Sequence, residues 1–484
     1  MQFISFEFLL FLPIIFLLYW LVFNRLRWTG WSNLFIVVSS YIFYGWWNWK
    51  LCFLLFGIST ITYAAGWLMG HLRNTNPEYE ERHKLKNPIW WVHFITIVVC
   101  VGTLGVFKYC DFFIQSFVDA LGCVGIEASI APLGLILPLG ISFYVFQSLT
   151  YTIDIYQRKL VPTKDVVAYF AFMSFFPQLL SGPIGRASRL LPQYEQKRKF
   201  QYDLAVSGCW QILWGLFMKV CVADRLSLYV DAVYGNLAIH NGTSIALAAI
   251  FYSIQIYCDF AGYSLMAIGV GRLLGIRLDE NFRQPYFATS IGDFWRRWHI
   301  SLSSWFRDYV YIPLGGNRVS ESRNYFNLFV TFLVSGLWHG AAWSFVLWGA
   351  LHGIYQVLDK MRKKYLPSLG LGKSVKNVVG TITTFVLVTI AWVFFRLTDI
   401  SVAFEAVGKM FTSFGMPYTD LTTMTYGCLS LVLLLLVDYL LHKGVLMNKG
   451  GVGIVWKYAA AVVLSLWIIA AGIFGGGQFI YFQF

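Results

Sequence analysis

The sequence has 484 residues, of which 58% are hydrophobic and only 13% are charged. About a quarter of the residues in a soluble domain are charged, so this composition excludes an ordinary soluble protein and indicates a chain that crosses a lipid bilayer many times. The net charge of +13 does not indicate nucleic-acid binding, because the basic residues lie in short clusters between apolar runs. We therefore expect one all-α membrane domain over residues 1–484, with no nucleic-acid partner.

The apolar runs predict about 11 to 12 transmembrane helices, since each crossing takes roughly 20 residues. The first run, residues 5–23, carries Glu7 and has no cleavage pattern, so we expect a retained helix rather than a signal peptide. Lys and Arg cluster in alternate connections, which the positive-inside rule assigns to the cytoplasm. The eight cysteines lack the spacing of a zinc site, and we expect no bound metal.

Two apolar stretches begin and end on the same predicted side of the membrane. Residues 165–181 end in Phe-Pro-Gln followed by Ser-Gly-Pro, where proline and glycine interrupt a helix. Residues 325–358 are long enough for a helical hairpin, whose turn we predict at residues 336–340. Non-helical backbone within a membrane is tolerated only where protein or a water-filled cavity surrounds it, so both stretches predict broken or re-entrant helices.

His339 lies in the predicted turn of this hairpin, with glycines at positions 336 and 340 that allow close approach of a backbone or a substrate. A histidine at such a site can act as a general base on an attacking hydroxyl, or it can be a packing residue bonded to a neighbouring helix. On one continuous helix His352 would face different surroundings from His339. We interpret His352 and His93 as packing residues.

Residues 293–312 have the periodicity of one amphipathic helix with an aromatic stripe. His299, Arg296, Ser303 and Arg307 are predicted to share one flank of that stripe, where they could bind an anionic ligand such as the phosphates of coenzyme A. The alternative is an interfacial helix whose arginines bind lipid phosphate. Asp259 is predicted to lie within a membrane span, paired with an arginine or a hydroxyl group.

Several sequence strings, in this order along the chain, resemble the membrane-bound O-acyltransferase (MBOAT) family, and most closely its alginate O-acetyltransferase branch. The resemblance extends over most of the chain and is densest at residues 137–358. The strings are Leu137-Pro138-Leu139-Gly140-Ile141-Ser142-Phe143, Phe146-Gln147-Ser148, Phe176-Pro177-Gln178, Gly182-Pro183-Ile184, Asp293-Phe294-Trp295-Arg296-Arg297-Trp298-His299-Ile300-Ser301-Leu302-Ser303, Gly336-Leu337-Trp338-His339-Gly340 and Phe479-Ile480-Tyr481-Phe482-Gln483-Phe484.

This resemblance implies a ring of membrane helices around a central tunnel through which an acyl group reaches the far side. The family's essential histidine falls on His339 and its second characteristic histidine on His299. The donor would be cytosolic acetyl-CoA, bound as a substrate rather than as a permanent cofactor. It would enter past Arg296, Arg297 and His299 to a dry site near Trp338, Trp343 and Trp348, with Asp259 and Gln178 as further orienting candidates.

The acceptor implied by the resemblance is an extracytoplasmic polysaccharide, and the location is the cytoplasmic membrane of a bacterium. The resemblance also implies a partner, an extracytoplasmic acetyltransferase of the SGNH type. No Gly-x-Ser-x-Gly elbow occurs in the sequence, so the final transfer is expected to need a separate protein. D-alanyl transfer to teichoic acid from a carrier protein is an alternative within the family. A transporter or flippase is an alternative outside it, although the two halves of the chain lack the matching interrupted segments expected of one.

Overall fold

The computed structural model describes residues 1–80, 83–180, 182–366, 370, 372–445, 454–475 and 479–480. Within these ranges the chain forms helices, turns and irregular segments without any β-strand, so the all-α prediction is confirmed. The α-helices are α1 Phe6–Leu21, α2 Thr29–Asn48, α3 Leu51–Thr75, α4 Pro88–Leu104, α5 Cys110–Cys123, α6 Ile141–Tyr156, α7 Val166–Ser174, α8 Phe176–Leu179, α9 Ala187–Glu195, α10 Tyr202–Phe217, α11 Asp224–Tyr234, α12 Gly242–Leu273, α13 Ile291–Arg297, α14 Ile300–Phe306, α15 Glu321–His339, α16 Trp343–Tyr365, α17 Lys373–Arg396, α18 Ile400–Thr412, α19 Cys428–His442 and α20 Ile454–Ala471.

In the part of the chain that the structure describes, four π-helical segments extend or connect these helices. They are Gly105–Tyr109 between α4 and α5, Met218–Ala223 between α10 and α11, Arg307–Tyr311 after α14, and Thr423–Gly427 before α19. Such segments place one extra residue in a helical turn and often occur at functional sites. Met218–Ala223 carries the buried Lys219, and Arg307–Tyr311 follows directly on α14, the helix that begins after His299.

Seven described helical stretches are long and apolar enough to cross a membrane, which confirms a multi-pass membrane protein. Other apolar runs form shorter helices, and α6, with 16 residues, is only about 24 Å long at 1.5 Å per residue. Helices α2, α15 and α16 have 20, 19 and 23 residues and fall outside this set by composition rather than by length, so the number of 11 to 12 spans stays a prediction. The seven stretches are Phe6–Arg25, Leu51–Thr75, Pro88–Cys123, Tyr202–Tyr234, Gly242–Leu273, Lys373–Arg396 and Thr423–His442.

The chain divides into two compact units. Unit 1 consists of Met1–Gln211 and Met266–Asp279, and unit 2 consists of Ile212–Leu265 and Glu280–Phe484. Helices α10 and α12 contribute residues to both units. A single membrane domain over residues 1–484 stays a prediction.

Unit 1 contains the first predicted helix break. Helix α7 ends at Ser174, Phe175 is non-helical with φ −49° and ψ 105°, and α8 begins at Phe176, so the interruption predicted within residues 165–181 is confirmed just before Pro177. The Phe172 carbonyl near the end of α7 accepts a hydrogen bond from Gln147 Nε2 at 2.7 Å.

Ser181, part of the same predicted interruption, lies outside the described residues, as do Tyr481–Phe484 of the last family string.

Unit 2 contains the second predicted feature, the hairpin formed by α15 and α16. The hairpin is confirmed, but its turn lies at Gly340 and the two alanines that follow rather than at residues 336–340. Gly336 is helical and serves a different purpose, because a Cβ there would lie 2.3 Å from the Phe345 carbonyl oxygen. This glycine allows close helix contact and does not form the turn.

Candidate active site

His339 is the last residue of α15, and its side chain is buried, with 4% exposure. Its ring centroid lies 4.9 Å from those of Trp338 and Trp348 and 5.4 Å from that of Phe395 in α17. The next residue, Gly340, must lack a side chain, because a Cβ there would overlap the Phe345 ring at 2.1 Å. The end of α15 thus places an imidazole inside an aromatic shell from which water is largely excluded.

The single helix predicted for residues 293–312 is wrong. Helix α13 ends at Arg297 and α14 begins at Ile300, with His299 between them in the left-handed region at φ +43°. The backbone of residues 281–283 explains the break. The N–H of Arg283 donates to the carbonyl of Arg297 at 3.0 Å, and the N–H of Ile300 donates to the carbonyl of Asn281 at 2.9 Å.

Asn281 orients His299. Its side-chain oxygen accepts hydrogen bonds from the backbone N–H and the hydroxyl of Ser301, and it lies 3.2 Å from Nδ1 of His299. Its Nδ2 donates to the Ser264 hydroxyl at 3.1 Å. An oxygen that accepts a backbone N–H has no proton to give, so Nδ1 of His299 must be the donor and Nε2 of the neutral ring the acceptor.

His299 and His339 come together in this site. Their ring centroids are 6.5 Å apart, and both rings contact Trp338. Phe260 of α12 covers His299 at 4.6 Å with its edge-to-face ring, and His299 is 1% exposed. This burial lowers the pKa of His299 to about 3, because the charged imidazolium would lose its hydration. At neutral pH His299 is therefore uncharged.

On one continuous helix, His352 is expected to face surroundings different from those of His339. The structure shows instead that the two histidines share a neighbour. It is on α16, across the hairpin from His339, and Trp348 contacts both rings, at 4.8 Å and 4.9 Å. The indole N–H of Trp295 donates to Nδ1 of His352 at 3.3 Å. These contacts agree with a packing function for His352. Of the three tryptophans considered from the sequence, Trp338 and Trp348 contact His339, whereas Trp343 is 57% exposed.

Comparison with known proteins assigns the chain to a family. The family model described as MBOAT, membrane-bound O-acyltransferase family, matches residues 42–400, which include His299, His339 and their aromatic shell. The chain belongs to the membrane-bound O-acyltransferase family. The resemblance inferred from the sequence strings is thereby confirmed, and the MBOAT protein is an O-acyltransferase.

Curated relatives include several acyltransferases of the bacterial envelope. The chain is 37% identical to the probable alginate O-acetylase AlgI of Pseudomonas aeruginosa, over 90% of this chain and 80% of that protein. It is 34% identical to the peptidoglycan O-acetyltransferase of Helicobacter pylori, over 83% and 77%. It is also 33% identical to the teichoic acid D-alanyltransferase of Bacillus subtilis, but over only 49% of this chain and 64% of that protein.

The polar residues that the sequence grouped with His299 do not share its surroundings in the MBOAT protein. The side chain of Arg296 is 74% exposed and Arg307 is also exposed, whereas His299 is buried, so a common flank on one helix is wrong. Asp293 forms ion pairs with both Arg297, at 3.1 Å, and Arg296, at 3.6 Å. The Ser303 hydroxyl donates to the carbonyl of Trp298 at 3.1 Å.

The two remaining candidates have separate environments. Asp259 lies within the span of α12, as predicted, but its ionic partner is Lys219 at 2.8 Å rather than an arginine or a hydroxyl. Gln178 belongs to unit 1, where its Nε2 donates to Oε1 of Gln147 at 2.8 Å. Sequence reasoning missed Asn281 and Lys219. Nothing in the local pattern marks Asn281, whereas Lys219 stands in an apolar run where a charge needs a partner.

Proposed function

We propose that this MBOAT protein takes an acetyl group from acetyl-CoA on the cytoplasmic side of a bacterial inner membrane and supplies it for O-acetylation of an extracytoplasmic polysaccharide. Relatives that cover most of both chains are named as alginate O-acetylase and peptidoglycan O-acetyltransferase, which supports acetyl as the acyl group and a glycan as the acceptor. The observation that carries the proposal is the pair of buried histidines, 6.5 Å apart in an aromatic shell.

In the proposed mechanism His339 is the general base. It removes the proton from an acceptor hydroxyl as that oxygen attacks the thioester carbon, a contribution of roughly 10²–10⁴-fold. The new C–O bond forms, the C–S bond breaks, and the imidazolium of His339 returns the proton to the departing thiolate. The glycine at position 340 and the hairpin turn after it leave His339 at the end of a helix rather than in its interior.

His299 has an orienting function in this proposal. Because Asn281 fixes Nδ1 as a donor, Nε2 is the nitrogen that accepts a hydrogen bond, either from the attacking hydroxyl or from an amide N–H of the pantetheine arm. The neutral ring suits this function, since an imidazolium would offer no lone pair. The left-handed backbone at His299 turns the side chain out of the line of α13 and α14.

The aromatic shell protects the thioester from water. Trp338 and Trp348 are buried against His339. An acyl donor that reaches this histidine therefore contacts indole rings instead of water. Excluding water slows hydrolysis of the acyl donor and strengthens polar contacts to the reacting atoms. In this proposal the MBOAT protein passes the acetyl group to an SGNH-type acetyltransferase outside the membrane, which then transfers it to the polysaccharide.

The experiment supplies labelled acetyl-CoA to the cytoplasmic side of vesicles and an SGNH-type partner with polysaccharide to the other side. Wild type is compared with His339→Ala, and His93→Phe is the matched control, because His93 is a buried histidine of unit 1 that stacks on Tyr156. We expect His339→Ala to lose about 100-fold or more of the transfer rate and the control to keep it.

Three outcomes would reject parts of the proposal. Equal transfer by wild type and His339→Ala at matched protein level would remove the general-base function from His339. Transfer from a D-alanyl carrier protein but not from acetyl-CoA would replace the donor and favour the activity of the teichoic acid relatives, whereas movement of an intact solute without labelling of any acceptor would indicate a transporter.

A further inference from the structure

Lys219 forms a buried ionic cluster with two carboxylates in unit 2. Its Nζ lies 2.7 Å from Asp224 and 2.8 Å from Asp259, and all three side chains are at most 5% exposed. Lys219 belongs to the π-helical segment Met218–Ala223, directly before α11. Burying charges is costly unless they are paired and hydrogen-bonded, and two carboxylates share this one ammonium group. The proposed acyl transfer does not use any member of this cluster.

Asp259 makes a second contact, with a segment that is distant in sequence. Its Oδ2 accepts a hydrogen bond from the backbone N–H of Ile480 at 2.8 Å, while its Oδ1 faces Lys219. The ring of the preceding residue, Phe479, lies 4.8 Å from that of Tyr263. Both residues of the 479–480 segment are buried. A charged side chain of α12 thus holds a short segment that is distant in sequence.

The same turn of α12 reaches the candidate active site. Phe260 follows Asp259 in the sequence, and its ring contacts Phe479 at 5.9 Å and His299 at 4.6 Å. Consecutive residues of one helix therefore bind the 479–480 segment and cover His299. A shift of this segment would remove Phe479, one of the rings that pack against Phe260. Phe260 would then no longer be held against the imidazole of His299.

We propose that Lys219 and Asp259 are positioning residues, which hold the 479–480 segment in place so that Phe260 keeps His299 in its reactive orientation. Lys219 fixes the Asp259 carboxylate by ion pairing, and the carboxylate anchors the segment through the N–H of Ile480. Asp224 balances the charge of Lys219 but has no described contact with the segment. The effect on catalysis rests on the proposed function of His299, whereas the anchoring of the segment does not.

The experiment measures how accessible position 480 is to a thiol reagent. Ile480→Cys keeps the backbone N–H, and the exposed Cys123 and Cys209 are replaced by serine. In this background Asp259→Ala removes the acceptor of the N–H, Asp259→Asn keeps an acceptor oxygen, and Asp224→Ala removes the other carboxylate as a matched control. Loss of a hydrogen bond to a charged group corresponds to about a 10- to 100-fold change in a docking equilibrium.

We expect maleimide labelling at position 480 to become about 10- to 100-fold faster in Asp259→Ala and to stay near the starting rate in Asp259→Asn and Asp224→Ala. In transfer assays Asp259→Ala should lower kcat with little change in the KM for acetyl-CoA, and Asp259→Asn should restore most of it. If Asp259→Ala does not accumulate, Asp259→Glu supplies the comparison, because it keeps the charge and moves the carboxylate away from the N–H.

Equal labelling rates in the Asp259 and Asp224 variants would overturn the proposal, since both carboxylates would then act only as charge partners of Lys219. Faster labelling with unchanged kcat would overturn its catalytic part. Labelling needs no acyl donor, so a failure of wild type to transfer acetyl would count against the proposed function without affecting the result at position 480.

Discussion

Gly336 and Gly349 bring the two helices of the hairpin into backbone contact. A Cβ on Gly349 would lie 3.0 Å from Cα of Gly336 and 2.5 Å from the carbonyl oxygen of Phe332. Helices cross this closely only where neither carries a side chain at the crossing. The contact lies one residue from Trp348 and one turn before His339, so it sets the distance between this histidine and the tryptophan that packs against it.

Replacing Gly349 by alanine should force α15 and α16 apart. Overpacking of this kind costs about 1–3 kcal/mol of stability, and the altered crossing should also lower the transfer rate. Gly408→Ala is the control, because Gly408 lies in α18 and no heavy atom would lie within 4 Å of its added Cβ. That variant should be neutral or up to about 1 kcal/mol more stable. Thermal unfolding of both variants in detergent checks this, and equal melting temperatures would show that the crossing tolerates a methyl group.

Asn281 should be needed for the orientation of His299. Asn281→Ala leaves the Ser301 hydroxyl and the Nδ1–H of His299 without their acceptor, which costs roughly 1–3 kcal/mol for each buried polar group that finds no other partner. Because the ring can then adopt the other tautomer, we expect a lower kcat with a smaller change in KM. Steady-state kinetics on protein of matched melting temperature checks this.

Asn281→Asp is the informative comparison for that experiment. It keeps an oxygen acceptor for Ser301 and His299 but replaces the N–H donor to Ser264 with an acceptor. Retention of more activity by the aspartate variant than by the alanine variant would support the orienting function. Less activity in the aspartate variant than in the alanine variant would contradict it, because restoring an oxygen acceptor for His299 would then not restore function.

The sequence predicts the helical class and the broken helices because these follow from local composition. Pro177 prevents α7 from continuing beyond Ser174, and the length of the apolar run at residues 325–358 predicts the hairpin of α15 and α16. The break at His299 has a different origin. Residues 293–312 have a good helical period, and the competing hydrogen bonds come from residues 281–283. Hydrogen bonds between two separate segments cannot be predicted from the periodicity of one of them.

The site itself could be predicted only in part. The sequence strings select His299 and His339, but their separation of 6.5 Å depends on packing among α12, α14, α15 and α16, which no spacing rule provides. Lys219 could have been found, because the reasoning that selects Asp259 as a charge within a span applies equally to a lysine in an apolar run. A lysine and an aspartate that both lie in apolar runs are therefore expected to form an ion pair with each other.

The buried His299 should make folding sensitive to acid. Its pKa is about 3 in the folded protein, against an ordinary value near 6.5, so the unfolded chain binds more protons between these two pH values. Stability therefore rises with pH across this window and is lost as the pH falls below about 6.5. Between pH 6.5 and pH 5 the contribution of His299 is on the order of 2 kcal/mol.

His299→Gln lacks this titration, so it isolates the contribution of His299 from those of other groups. We expect the melting temperature of wild type to fall more between pH 7.5 and pH 5 than that of the variant. The same fall in both proteins would mean that other groups determine acid sensitivity and that protonation of His299 costs little in the folded state.

Arg296 and Arg297 should act on the donor rather than on the chemical step. Asp293 faces both arginines, but the Arg296 guanidinium is largely exposed and can reach an anionic group. If these residues bind the phosphates of coenzyme A, the double variant Arg296→Ala/Arg297→Ala should raise the KM for acetyl-CoA by about 3- to 10-fold without lowering kcat, because such contacts are equal in the ground and transition states. The difference should shrink in high salt.

Two controls separate phosphate binding from a general loss of positive charge. Arg318→Ala removes an exposed arginine outside α13 and should leave the KM unchanged. S-acetyl-pantetheine keeps the thioester but lacks the nucleotide phosphates, so wild type and the double variant should use it with the same KM. If the double variant is equally impaired with both donors, Arg296 and Arg297 support the local structure around His299 through Asp293, and the nucleotide must bind elsewhere.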